Sequence, residues 1–454
     1  MNATARLAEF VVKTSLRDCP DAAVTRVRRA ALDTLGVILA GAGEPVALGV
    51  RAVVRAEGGA PLCTVIGTSL RTSPTWAALA NGTAGHAHDF DDTSFALMGH
   101  PSVPLLAAAL AVAEAEPADG AAVVLAYLVG FEVSAALGVA LNPDHYTRGW
   151  HATSSIGTLG CAAAAASVLR LDPTQAAHAL GVAASLASGL KENFGSMTKP
   201  FHAGHAARNG VFAAMAAREG LTASDSALDG RQGYAAAFSQ TALAPDAFDG
   251  LGQRWQVLAS GIAVKPYPSC ALTHSAIDAL LELRTRHRLA ADQVAEVEVG
   301  VNHVVPDVLR HARPETGLER KFSMQFCAAA SLATGRVDLG SFADGPVADP
   351  GTRALMGCVR MVVDPTLPTG LNEQAWTRVT VRLRDGRALA SPPHGASGHP
   401  DQPLTDAQLR DKFLQCAAPV IGAGEAEDVA AQLAHLEDIP DVRALTARLV
   451  TPRD

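Results

Sequence analysis

Residues 121–141 read Ala-Ala-Val-Val-Leu-Ala-Tyr-Leu-Val-Gly-Phe-Glu-Val-Ser-Ala-Ala-Leu-Gly-Val-Ala-Leu, an apolar run in which Glu132 is the one charged residue. The run has the length of a membrane-spanning helix, about 20 residues. Its flanks carry Asp119 and Asp144 instead of the Lys and Arg bias that orients membrane spans. Gly130 and Glu132 interrupt the apolar run in its middle, and the sequence has no second such run. We therefore expect a core helix that other helices surround on every side, and no membrane partner.

Helical periodicity extends outward from this run over nearly all of the chain up to about residue 260. Predicted helices include 23–39, 103–115, 155–169 and 173–188, and Gly41 is placed to end the first of them. Hydrophobic residues make up 48% of the 454 residues and charged residues 18%, which allows a large buried interior. Aromatic residues are only 5%, which favours helices packed through small side chains over a β-sandwich.

The pattern changes after Pro266, where the apolar residues begin to alternate as in strands. Residues 296–301 and 378–383 alternate polar and apolar side chains, and Asp385-Gly386 after the second segment predicts a hairpin turn. Residues 391–400 have the Pro and Gly content of a linker, and helical periodicity resumes after Thr405, a predicted helix cap. The fold class expected is therefore mainly α. A large all-helical domain is built from both chain ends, 1–265 and 399–454, with a smaller α+β domain inserted at 266–398.

The charge and the cysteines exclude several classes of protein. The formal net charge is −8, so the chain lacks the basic surface of a nucleic-acid-binding protein. Seven cysteines are scattered without a Cys-x-x-Cys spacing, which is typical of reduced intracellular thiols. The first residues lack the apolar run of a signal peptide, and we expect a cytoplasmic protein.

Four polar clusters, each beside a Gly or Pro, interrupt the apolar background: His86–Thr93 with Gly99–Ser102, Tyr146–His151, Lys199 with His202, and Lys265–Cys270 with His274. These residue types suit the movement of a proton on a carbon next to a carboxylate. A lysine can hold a carboxylate, and a histidine near its ordinary pKa can donate or accept a proton. Two cations facing a small anionic di- or tricarboxylate would also stabilise the enediolate that such proton removal generates.

The segment Gly195-Ser-Met-Thr-Lys-Pro-Phe-His-Ala-Gly204 contributes Lys199 and His202. The residue before a proline is disfavoured in the α region, so we expect Lys199 at a bend and a helix that begins near His202. A cation at a helix N-terminus opposes the helix dipole. A bound anion would offset that cost, since helix N-termini and lysines both attract carboxylates.

Two other classes of protein remain open. His88 and Asp89 could belong to a metal-dependent hydrolase, although His86 and His88 would point apart on a helix and could not both bind one ion. A non-catalytic binding or scaffold protein is the other alternative. The sequence has no phosphate-binding Gly-rich loop, and no cysteine triplet for an iron–sulfur cluster, which excludes an aconitase-type mechanism.

Six motifs occur in order along the chain: His-Asp-Phe-Asp-Asp-Thr (88–93), Gly-His-Pro-Ser (99–102), Gly-Trp-His-Ala-Thr (149–153), Gly-Ser-Met-Thr-Lys-Pro-Phe-His-Ala-Gly (195–204), Lys-Pro-Tyr-Pro-Ser-Cys (265–270) and Gly-His-Pro-Asp-Gln-Pro-Leu (398–404). With these motifs the chain resembles the MmgE/PrpD family, which contains 2-methylcitrate dehydratase, cis-aconitate decarboxylase and iminodisuccinate epimerase. The resemblance implies a helical domain from both chain ends with an α+β lid domain, an active-site cleft between them, a homodimer, and no cofactor or metal.

The positions that match the family's active site are Asp89, Thr93, His100, His151, Lys199 and Lys265, with Tyr146 nearby. Lys199 or His151 would act as the base and Asp89 would orient a histidine, while Lys265 and His100 would hold carboxylates. Thr93, Tyr146, His202 and Cys270 are further substrate-binding candidates. Where the cis-aconitate decarboxylase pattern has a histidine and a tyrosine in the lid domain, this chain has Cys270 and Phe326.

These features together predict a cofactor-independent enzyme that abstracts a proton α to a carboxylate. A hydro-lyase similar to 2-methylcitrate dehydratase is the leading prediction, and an isomerase similar to iminodisuccinate epimerase is the alternative. The departures at Cys270 and Phe326 argue against decarboxylation of cis-aconitate.

Overall fold

The computed structural model describes residues 2–240, 242–243, 246–368 and 375–451. The chain divides into two compact units. Unit 1 comprises Met1–Ala87, Asp91–Ile262 and Thr405–Asp454, and unit 2 comprises His88–Phe90 and Ala263–Leu404.

Unit 1 is made almost entirely of helices. They are α1 (Ala3–Lys13), α2 (Asp21–Gly41), α3 (Pro45–Glu57), α4 (Pro74–His86), α5 (Ser102–Ala115), α6 (Gly120–Leu141), α7 (Asp144–Thr147), α8 (Ala152–Val168), α9 (Pro173–Leu186), α10 (Thr198–Arg218), α11 (Tyr234–Phe238), α12 (Gln256–Ala259), α18 (Asp406–Ile421), α19 (Ala423–Leu433) and α20 (Val442–Thr446). A two-stranded antiparallel pair, β1 (Cys63–Thr64) and β2 (Arg71–Thr72), is an exception to the predicted all-helical domain.

Helix α6 contains the apolar run and lies in the core of unit 1. Asp119 caps its N-terminus by accepting a hydrogen bond from the Ala122 N–H at 2.8 Å. Among the described helices, α6 alone is long and apolar enough to cross a membrane as a single straight span, and 83% of its most apolar window is buried. Helices α2 and α3 meet the same criterion only as a pair bent by 84°.

The predicted central helix is confirmed, and both residues that interrupt its apolar run have a packing or hydrogen-bonding role within it. A Cβ on Gly130 would lie 2.6 Å from Leu105 Cδ2 and 2.7 Å from the Gly160 carbonyl oxygen, so glycine allows close contact with α5 and α8. Glu132 accepts hydrogen bonds from the backbone N–H groups of Gln256 and Val257 at 2.8 and 2.9 Å. Its charge is therefore used to hold the start of α12.

The C-terminal helices return to unit 1, as the mainly α fold class built from both chain ends predicts. Thr405 caps α18 and exchanges hydrogen bonds with Gln408 in a capping box. Helix α18 packs on α2. A buried ion pair joins the two helices, with Lys412 Nζ 2.6 Å from Asp33 Oδ1.

Helices α4 and α10 cross at two glycines. A Cβ on Gly82 of α4 would lie 2.7 Å from the Gly204 Cα of α10, and a Cβ on Gly204 would lie 2.2 Å from the Leu79 carbonyl oxygen. Only hydrogen atoms at these two positions let the two backbones approach so closely. The crossing fixes the C-terminal end of α4 relative to the first turn of α10.

The predicted bend at Lys199 was wrong. Helix α10 begins at Thr198, so Lys199 lies in its first turn and not in a preceding bend. Pro200 is compatible with this position, because the N–H groups of a first turn have no intrahelical partners and nothing is lost at a proline. Lys199 thus adopts a helical conformation although a residue before a proline disfavours it.

Unit 2 contains helices and a mixed four-stranded sheet. The helices are α13 (His274–His287), α14 (Val305–Val308), α15 (Gly317–Arg320), α16 (Met324–Thr334) and α17 (Pro350–Met356), and the strands are β3 (Val294–Val301), β4 (Val359–Val363), β5 (Arg378–Leu383) and β6 (Ala388–Ala390). The strand order is β4-β3-β5-β6, with β3 parallel to β4 and antiparallel to β5. The predicted strands and hairpin are confirmed as β3, β5 and the β5–β6 turn, where Gly386 has a φ of +90°.

Candidate active site

Unit 1 gathers six buried polar side chains at the ends of three helices and on one loop. His86 is the last residue of α4, and His151 precedes the first turn of α8. Lys199 lies in the first turn of α10, and His202 lies one turn later. Asp91 and His100 come from the loop between α4 and α5. Each of the six side chains belongs to a buried residue.

The loop of residues 91–101 folds back on itself and thereby places His100. Ser94 and Gly99 pair through two backbone hydrogen bonds of 2.9 and 3.3 Å. The His100 N–H donates to Thr153 Oγ1 of α8 at 2.9 Å. At the other end of the loop, Asp92 Oδ1 accepts the Ser102 N–H at 3.2 Å, which holds the start of α5.

An ordered chain of hydrogen bonds runs from Asp91 through His86 to Lys199. His86 Nδ1 lies 2.8 and 2.9 Å from the two carboxylate oxygens of Asp91, and His86 Nε2 lies 3.0 Å from Lys199 Nζ. A carboxylate can only accept, so His86 carries its proton on Nδ1 and accepts from the Lys199 ammonium through Nε2. This arrangement fixes the direction of the Lys199 ammonium, and only 4% of Lys199 is exposed.

The ionisation of this chain agrees with that assignment. Burial, opposed by the nearby Asp91 carboxylate, lowers the pKa of His86 to about 4. Burial alone would raise the pKa of Asp91, but the imidazoles of His86 and His100 keep it well below its ordinary value. At neutral pH this series of hydrogen bonds therefore joins the Asp91 carboxylate, the neutral His86 imidazole and Lys199, which donates to the imidazole.

His151 and His202 form a second buried contact. Their Nδ1 atoms lie 3.0 Å apart, and the Phe194 ring packs edge to face on His151 with the ring centroids 4.9 Å apart. Burial and then the charge of Lys199 lower the pKa of His151 well below its ordinary value. Burial also lowers the pKa of His202 to about 4, so both rings are neutral at pH 7.

The two groups are adjacent within unit 1. The ring centroids of His86 and His151 lie 6.0 Å apart, and those of His100 and His151 lie 6.4 Å apart. His100 also contacts His86 with centroids 4.3 Å apart and lies 3.2 Å from Asp91 Oδ2. The structure thus brings together the predicted residues Lys199, His151, His100 and His202.

A metal ion is a weaker explanation for these residues. His86, Asp91 and His100 each place one ligand-type atom within 4.8 Å of the others. The Lys199 ammonium, however, already lies 3.0 Å from His86 Nε2 and would repel a dication at short range. The donors fit a hydrogen-bonded acid–base network better than a metal centre.

Two further predicted residues of unit 1 have different surroundings. The Thr93 hydroxyl oxygen is buried and makes no hydrogen bond to any residue that the structure describes. Tyr146 is half-buried on α7, where its ring lies 3.6 Å from Lys191 Nζ and its carbonyl accepts from the same ammonium at 3.1 Å.

The remaining predicted residues belong to unit 2. Lys265 Nζ donates to the Asp89 carbonyl at 2.7 Å and lies 3.1 Å from Asp89 Oδ2. Lys321 Nζ donates to the His88 and Pro268 carbonyls at 2.6 and 3.0 Å. Two buried lysines therefore hold the short segment 88–90, in which Asp89 has a left-handed φ of +52°. The half-buried Cys270 donates its N–H to the Lys321 carbonyl at 2.9 Å.

Sequence reasoning missed His86 and Asp91. It selected Asp89 to orient a histidine, whereas Asp91 is the carboxylate that contacts both His86 and His100. The signal was present, because all three acids fall in the motif of residues 88–93. It was ambiguous, because the choice among closely spaced acids depends on where α4 ends and how the chain turns at Asp89.

Comparisons with known proteins match both parts of the chain to one family. Residues 5–245 match the model of the MmgE/PrpD N-terminal domain, and residues 267–438 match that of the MmgE/PrpD C-terminal domain. The cis-aconitate decarboxylases of Mus musculus and Homo sapiens are each 30% identical over 444 residues. These alignments cover 95% of this chain and 90% and 91% of the relatives.

A more distant relative is the cis-aconitate decarboxylase-like protein oryM of Aspergillus oryzae, which is 27% identical over 470 residues. That alignment covers 98% of this chain and 97% of the relative. Both family domains are thus matched, and the relatives align over nearly their whole length. The chain belongs to the MmgE/PrpD family and is an enzyme of the lyase or isomerase type.

Proposed function

We propose that this protein is a lyase that removes a proton from the carbon α to a carboxylate of a small di- or tricarboxylate. The observation that carries the proposal is the buried contact of the Lys199 ammonium with a neutral His86, beside the neutral pair His151 and His202. A directed cation can hold a carboxylate, and a neutral imidazole can accept a proton. The cation would also stabilise the negative charge of the enediolate that forms.

The hydrogen bonds favour different roles for Lys199 and His151. Lys199 donates to His86 Nε2, and the Nδ1 proton of His86 is held by Asp91, which supports the charged ammonium. An ammonium cannot accept a proton, so the base in this proposal is His151. A bound carboxylate would offset the positive charge of Lys199, which is one of the causes that lower the pKa of His151.

Dehydration of a β-hydroxy acid is the leading reaction in this proposal. After proton removal, the C–O bond to the hydroxyl breaks, and the hydroxide leaves as water once a nearby acid protonates it. His100 is suited to that step, or to holding a carboxylate. The resemblance described above implies a histidine and a tyrosine in a decarboxylase where this chain has Cys270 and Phe326, which favours dehydration in this proposal. Phe326 is an apolar core residue of unit 2.

Decarboxylation of cis-aconitate is the second candidate, and the comparisons favour it. The mouse and human relatives are both named for this activity, and this chain aligns with them over 95% of its length. Epimerisation would follow from the same proton removal if the proton returned to the opposite face. Dehydration and epimerisation both begin with this proton removal. Decarboxylation instead breaks a C–C bond, releases carbon dioxide and leaves an electron pair on the substrate that takes up a proton.

One assay with four acids separates these reactions. The purified protein is incubated with 2-methylcitrate, citrate, cis-aconitate and L-iminodisuccinate, and products are identified by NMR and by carbon dioxide release. We expect water loss from a hydroxy acid. Carbon dioxide release from cis-aconitate alone would favour the second candidate, and racemisation of iminodisuccinate alone would favour the isomerase. Turnover of none of the four would count against the proposal.

A further inference from the structure

The contact between His151 and His202 restricts where their protons lie. Two Nδ1 atoms at 3.0 Å share one hydrogen bond, so one ring must donate and the other accept. Each ring is neutral at pH 7 and has one proton. The pair therefore consists of complementary tautomers: one ring has Nδ1–H and an Nε2 lone pair, and the other has the reverse arrangement.

The backbone at Gly189 holds His151 at the start of α8. The His151 N–H donates to the Gly189 carbonyl at 3.0 Å. Gly189 has a φ of +120°, and a Cβ there would lie 2.6 Å from Ser154 Cβ. Glycine thus lets the chain pass close to Ser154 while its carbonyl accepts from His151.

His202 is also fixed by its helix. It lies one turn after Lys199 on α10, and 4% of the residue is exposed, compared with 1% of His151. The Phe194 ring covers His151 from another side. These contacts leave little freedom for either imidazole to rotate away. His202 Nδ1 therefore remains the partner of His151 Nδ1.

We propose that His202 is a positioning residue that fixes His151 as the Nδ1–H tautomer, so that the lone pair of His151 Nε2 receives the proton of the substrate. This inference rests on the proposed function, which requires a proton acceptor beside the Lys199 cation. When His151 Nε2 takes the proton, the C–H electron pair stays on the substrate as the enediolate. The resulting imidazolium keeps donating Nδ1–H to His202 Nδ1, which stabilises its charge.

A direct test is the tautomer of His151 in the intact protein without substrate. Histidine-selective ¹⁵N labelling distinguishes protonated from unprotonated ring nitrogens, and the His151→Asn variant assigns the His151 signals. At pH 7.5 we expect a protonated Nδ1 and an unprotonated Nε2. The opposite tautomer would overturn the inference even if the enzyme removes protons as proposed.

Two substitutions at His202 provide the second measurement. Asparagine places an acceptor oxygen near the position of His202 Nδ1, whereas leucine fills similar volume without an acceptor. For the acid that turns over, we expect His202→Leu to lower kcat roughly 100-fold with KM changed less than about threefold. His202→Asn should retain a much larger part of the activity and keep the Nδ1–H tautomer.

The outcomes separate this inference from the proposed function. Equal kcat values in the leucine and asparagine variants, with thermal melts like that of the wild type, would contradict the positioning role. If His202→Leu fails to fold, the tautomer measurement on the wild type still decides. A wild-type protein with the predicted tautomer that turns over none of the four acids would count against the proposed function only.

Discussion

Lys199 is held by an acceptor that a specific acid keeps in one tautomer. Its ammonium donates to His86 Nε2 because the other ring nitrogen of His86 is committed to both oxygens of Asp91. A buried cation without such an acceptor would lose its hydration without compensation. His86 and Asp91 therefore act through Lys199, and their substitution should change binding of the carboxylate.

Substitution of His86 tests the hydrogen bonds that join Asp91, His86 and Lys199. His86→Leu removes the acceptor of a buried ammonium, and we expect the free energy of unfolding to fall by about 3–5 kcal/mol. His86→Gln, whose amide oxygen reaches the Nε2 position, should lose much less and keep a lower KM than the leucine variant. Urea denaturation and steady-state kinetics measure both effects. Equal losses in the two variants would show that only the ring shape matters.

Asp92 gives a prediction about pH. Burial, together with the Asp33 carboxylate, raises its pKa to about 8, so the folded protein holds a proton that an unfolded chain loses near pH 4. Wild-type stability from this group therefore falls as the pH rises from about 4 to 8. Asp92→Asn removes the titration, and its melting temperature should rise relative to wild type with increasing pH over this range. A difference independent of pH would contradict the shift.

At the residue scale the sequence predicted several site members but not their partners. Lys199, His151, His100 and His202 each lie within two residues of a Gly or Pro in an apolar background, and this contrast is visible without a structure. The sequence does not show that Asp91, and not Asp89, is the hydrogen-bond partner of His86. This pairing depends on the end of α4 at His86 and on the left-handed φ of +52° at Asp89, which are set by tertiary contacts.

The crossing of helices α4 and α10 positions His86 against Lys199. This crossing requires glycine at 82 and 204, because any Cβ would meet the backbone of the other helix. The contact between His86 and Lys199 therefore depends on two residues that have no side chain. The packing of α4 on α10 therefore also sets the distance between His86 and Lys199.

Gly204→Ala is the corresponding test. Its Cβ would lie 2.2 Å from the Leu79 carbonyl oxygen, so we expect a loss of about 1–3 kcal/mol in stability and a clear loss of activity. Gly49→Ala in α3 is the matched control, since a Cβ there meets no atom within 4 Å. The control should be neutral or more stable by up to about 1 kcal/mol. Similar effects of both substitutions would show that the crossing is not tightly packed.

Glu132 holds the start of α12 from the middle of α6. Its two oxygens accept the N–H groups of Gln256 and Val257, and burial raises its pKa to about 7. Glu132→Ala leaves both N–H groups without this acceptor and should lower the free energy of unfolding by about 2–5 kcal/mol. Glu132→Gln, which keeps one acceptor oxygen, should lose less. Equal stability of Glu132→Ala and wild type in urea would refute this role.

Helix boundaries were predictable where local signals agree. The Thr405 cap, the end of α2 at Gly41 and the β5–β6 turn at Gly386 all follow from local residue types, and the structure confirms them. The start of α10 was not predictable from local rules. Tertiary packing outweighed the proline rule in α10, and hydrogen bonds to α12 gave Glu132 a partner within an unbroken α6.

At the scale of the whole molecule, the mainly α fold class was predictable from composition. Alanine-rich, aromatic-poor helices bury one another through small residues, and the capped helix after Thr405 returns to unit 1. The parallel pairing of β3 with β4 was not predictable, because the short segment Val359–Val363 has no clear alternation of polar and apolar residues. The pair β1–β2, of two residues each, is also too short to give a pattern.

The central claim is that His151 removes a proton from the carbon α to a carboxylate. The most direct measurement is deuterium exchange in D₂O, followed by ¹H NMR at that carbon in the recovered substrate of each candidate acid. We predict incorporation by the wild type, and a rate at least about 100-fold lower in His151→Ala. His435→Ala, at an exposed histidine, should match the wild type. No incorporation from any of the acids, or an unchanged rate in His151→Ala, would contradict the claim.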